Sequence, residues 1–455
     1  MNSTNFSNLP LSNEMLHNLS EIGYTQMTPV QAQTLPFILE GRDVIAQAKT
    51  GSGKTAAFGI GLLHKLQVKK FRVQALILCP TRELADQVAK ELRMLARFAH
   101  NIKILTLCGG AAFGPQLGSL EHGAHIIVGT PGRILKHLNK QTLNFEHLET
   151  LVLDEADRML DMGFIEEIEQ VLAYMPTEKQ TLLFSATYTD DIIGISNKIQ
   201  KNALSVKTVA TEVANKITER FYEAPNKLET LVNVFSNFQP ENVIVFTNTK
   251  LDAKEIAEAL QKQNIDALAI HGDLEQYERN DVLVQFANKS CSVLVATDVA
   301  ARGLDIKELA MVVNYDIPHG EETYTHRIGR TGRAGKEGLA ITLYNAYEIQ
   351  NALEYKSEHR IFEESSTLKK NHGFEMRPFF VTLVIEGGKK EKVRAGDLLG
   401  ALTGDVGLSG SSIGKIDIYE RQSYVAIEAK HIENAHKKLQ NGKIKGKKFS
   451  VWILS

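Results

Sequence analysis

The sequence predicts two tandem doubly wound parallel-sheet α/β lobes followed by a C-terminal βαββαβ domain of the α+β class. Between about residues 40 and 190, the runs "DVIAQA", "QALILCP", "IKILTLCGG", "HIIVGTP", "TLVLDEAD" and "TLLFSAT" recur between amphipathic segments. Strands apolar on both faces belong in a parallel sheet covered by helices. The pattern returns between 240 and 345 in "NVIVFTN", "IDALAIHG", "CSVLVATD", "MVVNYD" and "LAITLY". The last residues alternate differently. "FFVTLVIEG", "IGKIDIYE", "SYVAIEAK" and "FSVWIL" read as strands, with "AGDLLGALTG" and "HIENAHKKLQ" as helices. That order is a split βαβ arrangement, which RNA-recognition modules share with many unrelated small domains.

Expected boundaries are a first lobe over 1–205, a linker at 206–216 without sustained periodicity, a second lobe over 217–362, a polar linker at 363–376 and the terminal domain over 377–455. The apolar fraction of 43% permits ordinary buried cores. No apolar run approaches the length of a membrane span, and the polar N-terminus is no secretion signal, so a cytoplasmic protein without a membrane partner is expected. Cys79, Cys108 and Cys291 lack metal or disulfide spacing and read as buried thiols. The net charge of −2 conceals an asymmetry: from residue 375 onward fourteen Lys and Arg face nine Asp and Glu. A basic end on an acidic body suits a polyanion, although solubilising lysines give the same count.

The chemistry begins after "DVIAQA". "AKTGSGKT", spanning Ala48, Lys49, Thr50, Gly51, Ser52, Gly53, Lys54 and Thr55, joins strand to helix as a phosphate loop. Its backbone N–H groups cradle phosphates at the positive end of the helix. Lys54 reaches the terminal phosphates, and Thr55 offers a hydroxyl to Mg²⁺. "TLVLDEAD" then supplies Asp154 to hold Mg²⁺ largely through water and Glu155 to orient and deprotonate an attacking water. In "HRIGRTGRAG", Arg327, Arg330 and Arg333 recur at three-residue spacing; the glycines do not fit a dinucleotide loop. A transferred phosphoryl group demands a cation that the first lobe does not evidently provide. Arg330 and Arg333 are the candidates, which makes hydrolysis depend on lobe closure.

These residues resemble the DEAD-box RNA helicases. The likeness runs from about residue 6 to 345 through "GYTQMTPVQ", "AKTGSGKT", "PTRELA", the glycine pair at 109 and 110, "TPGR", "DEAD", "SAT", "QYER", "TDVAARGLD" and "HRIGRTGR". It implies RecA-like lobes that use ATP, with Tyr24 stacking on adenine and Gln31 reading its edge. Met27 stands where the family usually has proline. The resemblance further implies that Asp157, Ser185, Ala186 and Thr187 couple nucleotide state to closure, and that Asp305 contacts the ribose. RNA would touch Pro80, Thr81, Arg82, Gly109, Gly110, Thr130, Arg133, Arg279 and Thr297 through phosphate and sugar contacts.

In "GGKKEKVRAGDLLGALTGDVGLSGSSIGKIDI" and "LQNGKIKGK" the terminal domain resembles that of the DbpA subfamily, whose appended module recognises a large-subunit ribosomal RNA hairpin. As an RNA-recognition-like (RRM-like) domain it offers Tyr424 at one stacking position but Gln422 where a second aromatic is expected. Recognition therefore leans on a basic rim of Lys389, Lys390, Lys392, Arg394, Lys443, Lys445, Lys447 and Lys448. The expectation is an RNA-dependent ATPase, monomer or weak dimer, that unwinds short duplexes near that hairpin during large-subunit assembly. An RNA clamp using ATP only to lock would carry the same motifs, whereas a DNA helicase is disfavoured by the DEAD tetrad and the βαββαβ domain, which both associate with RNA.

Overall fold

The computed structural model describes residues 4–48, 51–208, 217–301, 309–332, 337–371 and 373–454; Lys49, Thr50, Asp305 and Arg333 lie outside them. The chain divides into two compact units, one built on a first sheet and the other on two further sheets.

The first sheet contains β1 (Val44–Gln47), β2 (Ala75–Leu78), β3 (Ile104–Leu107), β4 (Ile126–Gly129), β5 (Thr150–Asp154), β6 (Gln180–Ser185) and β7 (Leu204–Lys207). All pairs are parallel, in the order β3-β4-β2-β5-β6-β1-β7. The two-residue strand period sends Val44, Ala46, Ile77, Val152, Leu182 and Phe184 into one helical layer. Their neighbours Ile45, Leu76, Leu78, Leu151, Leu153 and Leu183 enter the other. Threonines begin the covering helices: Thr28, Thr81 and Thr189 each accept a backbone N–H from the first turn.

The second unit repeats this plan with β8 (Ile217–Glu223), β9 (Val243–Thr247), β10 (Ala267–Ile270), β11 (Val293–Thr297), β12 (Met311–Asn314), β13 (Gly338–Tyr344) and β14 (Arg360–Glu364). Their order is β10-β11-β9-β12-β13-β8-β14, again parallel. The 363–376 segment, expected as a linker, departs from that role. Glu363 and Glu364 end β14, while Leu368 and Met376 bury in the second-lobe core. Met376 also exchanges backbone bonds with Asn264 and Asp266. Polar composition concealed this because only isolated residues of the segment are apolar anchors. Likewise Val206 and Lys207 belong to β7 rather than to the linker expected at 206–216.

The terminal domain shows the expected βαββαβ order: β15 (Phe380–Ile385), a helix Ala395–Gly400 continued by a π turn, β16 (Ile413–Ile418), β17 (Ser423–Glu428), a helix Ile432–Asn441 and β18 (Val451–Ile453). Its antiparallel sheet runs β16-β17-β15-β18, and Leu383, Ile385, Val425 and Ile427 face a core closed by Leu398, Leu402 and Leu439. The central strands of the opposite sheet face are covered by the second lobe, while Trp452 on the edge strand β18 stays exposed. Val384 and Tyr424 cluster with Val284 of the helix Gln276–Ala287. Thr382 Oγ1 accepts from Asn288 Nδ2 at 3.2 Å and bonds Ser290 Oγ at 2.7 Å. The Tyr424 hydroxyl donates to Asp281 Oδ1 at 3.1 Å.

Candidate active site

The strand order of the first sheet sorts the motifs along its C-terminal edge, where open α/β sheets bind ligands. β1, β6 and β5 lead into the phosphate loop, "SAT" and "DEAD"; β2, β4 and β3 lead into "PTRELA", "TPGR" and the glycine pair.

At the phosphate loop, Gly51 and Gly53 adopt φ of 82° and 91°, and a Cβ on Gly53 would stand 2.5 Å from Gln31 Nε2. Glycine is required there by backbone conformation and by space. The helix Lys54–Lys65 follows. Among the described residues, Ser52 Oγ, Lys54 Nζ and Asp154 Oδ1 are buried without a hydrogen-bond partner. Each such atom costs about 1–3 kcal/mol unless a ligand pairs with it. One ammonium, one hydroxyl and one carboxylate oxygen match a polyphosphate with a divalent cation, so the residues fit that ligand. Burial, opposed by the Lys54 cation and reinforced by Glu155, raises the Asp154 carboxyl to about 7.

Glu155 follows at φ 54° and ψ 53°, a left-handed conformation that a non-glycine residue adopts only when its surroundings enforce it. Its Oε2 accepts from buried Arg158 Nη1 at 2.9 Å. Arg158 was not among the sequence candidates; its three-residue spacing from Glu155 on the helix Ala156–Asp161 was the available signal. Asp157 Oδ2 accepts from Ala186 N at 3.0 Å, Thr187 N at 3.1 Å and Thr187 Oγ1 at 3.3 Å. The "DEAD" and "SAT" segments are thus physically joined.

Gln31 is engaged inside the protein. Its Oε1 accepts from Thr28 N at 2.9 Å within a capping box, and its Nε2 donates to Gly53 O at 3.0 Å. It therefore braces the phosphate loop, a role the sequence did not reveal. Tyr24 is partly buried and donates to Glu91 Oε1 at 3.0 Å.

On the other half of the edge, Thr81 caps its helix and Gly109 N donates to Thr130 Oγ1 at 3.5 Å. Gly109 and Gly110 are exposed, whereas Pro80 is buried and Arg82 pairs with Asp86 at 3.7 Å. Arg133 donates to Gln116 Oε1 and to the Ala111 carbonyl, both at 2.9 Å, holding the glycine loop. In the second lobe Arg279 Nη2 donates to the Ala300 carbonyl at 2.6 Å, tying "QYER" to the turn after Thr297. Arg327 is a fully paired structural residue: it bonds Asp298, Asn314, Asp316 and Asn248. Arg330 is buried nearby.

The terminal domain requires one correction. Tyr424, expected as a stacking surface for RNA, is only 6% exposed because the second lobe covers its ring and Asp281 takes its hydroxyl. By contrast Lys389, Lys390, Lys392, Arg394, Lys443, Lys445, Lys447 and Lys448 are all exposed. Two lysine clusters far apart in sequence meet here: Lys445 Nζ donates to the Lys392 carbonyl at 2.8 Å and to Asp397 Oδ2 at 3.3 Å. Lys392 and Lys445 both have positive φ, 61° and 53°. The three cysteines are free and buried, as expected.

A phosphate loop, an acidic pair ending β5 and a mirrored second parallel sheet define a nucleoside-triphosphate-driven two-lobe motor. Residues 28–194 match the DEAD/DEAH box helicase family, 226–335 the helicase conserved C-terminal domain, and 382–453 the DbpA RNA binding domain. The ATP-dependent RNA helicase DbpA of Escherichia coli strain K12 is 52% identical over 442 residues, covering 96% of this chain and 97% of its own. The ATP-dependent RNA helicase CshA of Listeria monocytogenes is 47% identical over 349 residues, 76% of this chain and 67% of its own. Dbp5 of S. cerevisiae bound to RNA and ADP BeF3 superposes with a TM-score of 0.70 at 29% identity, covering 80% of this chain and 96% of that one. The chain belongs to the DEAD-box ATP-dependent RNA helicases. Within them it is of the DbpA type, an RNA-dependent ATPase with its own RNA-binding domain.

Proposed function

We propose that this helicase is brought to a large-subunit ribosomal RNA hairpin by its terminal domain and opens short duplexes beside it during large-subunit assembly in the cytoplasm. In the ATPase site, Lys54 and Ser52 take phosphate oxygens, Glu155 orients and deprotonates water, and Arg158 fixes the Glu155 carboxylate. Thr55 and Asp154 would hold Mg²⁺, which supplies charge neutralisation at the phosphates. Arg330 and Arg333 add positive charge when the lobes close, and Asp157 passes the nucleotide state to "SAT". Tyr24 and Asp305 contribute adenine and ribose contacts. RNA phosphates run along Thr81, Arg82, Gly109, Gly110, Thr130 and Arg133 and continue over Arg279 and Thr297.

The observation that carries the targeting reading is the convergence of two exposed lysine clusters around the Lys445 staple while the centre of the sheet face is covered. A basic rim beside a sheet whose central stacking position is covered favours a structured RNA held by its backbone. Removing the domain would uncover Val284 and Asn288, so the test uses the full chain. Wild type and a Lys389→Gln, Lys390→Gln, Lys443→Gln, Lys447→Gln, Lys448→Gln variant are crosslinked to total cellular RNA. Crosslinks concentrated in one large-subunit hairpin and dispersed in the variant are expected; an unchanged distribution contradicts the targeting role.

A further inference from the structure

With Tyr424 covered at the centre of the sheet, the terminal domain must meet unpaired bases elsewhere. Two exposed aromatic rings flank its docking seam. Tyr419, 48% exposed, lies edge-on against Tyr424 with ring centroids 5.4 Å apart and planes at 83°. Tyr424 reaches across the seam to Asp281. One turn earlier on that helix is Tyr277, 67% exposed, and positions 277, 281, 284 and 288 recur at the spacing of a single helical face.

The basic loop lies beside Tyr419. The Tyr419 carbonyl accepts from Lys389 N at 2.9 Å, and the Glu420 carbonyl accepts from Lys390 N at 3.0 Å. Gly388 makes this approach possible, since a Cβ there would stand 2.4 Å from the Tyr419 carbonyl oxygen. The basic loop is therefore locked to the turn that carries the exposed ring. Exposed aromatic faces beside a basic loop suit single-stranded RNA, whose bases stack while its phosphates pair.

We propose that Tyr277 and Tyr419 form a base-stacking platform along the seam for a single-stranded RNA segment running between the second lobe and the basic loops. The proposal rests on the reading of those loops as an RNA contact. The test measures binding of fluorescently labelled oligoadenylate to the full chain without nucleotide, across a salt series. Tyr277→Ala with Tyr419→Ala weakens binding about tenfold or more, the scale of stacking one or two bases, and the corresponding pair of Phe substitutions restores it. Lys389→Ala with Lys390→Ala instead flattens the salt dependence. Unfolding midpoints check that these exposed substitutions leave the fold intact. Wild-type affinity in the Tyr→Ala pair with weakened binding in the lysine pair overturns the platform and leaves the basic-loop reading standing. Unchanged binding in both pairs overturns both, and failure of the wild type to bind the oligomer overturns the platform outright.

Discussion

Lys54 and Arg327 are both buried cations within motifs, yet their surroundings are opposite. Arg327 uses all five guanidinium N–H groups on Asp298, Asn314, Asp316 and Asn248. Lys54 has no acceptor among the described residues, and neighbouring Ser52 Oγ and Asp154 Oδ1 are equally unpartnered there. A buried charge with every donor satisfied holds the architecture; one without a partner awaits a ligand. The contrast separates a motif arginine that builds the second lobe from a motif lysine left open to a ligand.

The largest effect that would break this contrast is on stability. Arg327→Ala should lower the unfolding free energy by roughly 3–5 kcal/mol, since it strands Asp298 and Asn314. A denaturation midpoint near wild type would remove the structural role. Next, Glu155→Gln should lower ATP turnover by about 10²-fold or more while retaining ATP and RNA binding, because general-base contributions have that size. Steady-state hydrolysis close to wild type would exclude Glu155 as the base.

Smaller effects sharpen the comparison. Tyr424→Phe removes the hydroxyl from Asp281 and should weaken docking of the terminal domain by about 1 kcal/mol, read as faster proteolysis around residues 363–376. His137 is held down at about 4 by burial and by Arg133, Lys136 and Lys140. Its folded value lies below the ordinary 6.5, so its contribution is present above that pH and is lost as pH falls toward 4. His137→Gln should therefore narrow the acid-induced drop in the midpoint over that window; an unchanged drop would assign acid sensitivity elsewhere.

Much of the fold was legible because interior strands such as "ALIL" and "VIVFT" are apolar on both faces, which only a covered parallel sheet explains. β7 and β14 were not, because edge strands are short and half exposed and give no such run. The phosphate loop and the acidic pair could be read from order and spacing alone. Four things could not. The left-handed backbone of Glu155 depends on packing around the turn, and Gln31 meets Gly53 only through the fold. Tyr424 carries every local mark of an RNA-facing aromatic, and only a partner more than a hundred residues away, Asp281, shows that it faces protein. The two lysine clusters likewise looked separate until Lys445 was found on Lys392.

The central claim, that unpartnered buried polar atoms around Lys54 constitute the nucleotide site, is tested most directly by Lys54→Met. The decisive measurement is the unfolding midpoint of wild type and variant with and without ATP. The nucleotide-free variant is expected to unfold no earlier than wild type, and ATP to raise the midpoint of wild type alone. A variant destabilised as Arg327→Ala is expected to be, yet still shifted by ATP, would contradict it.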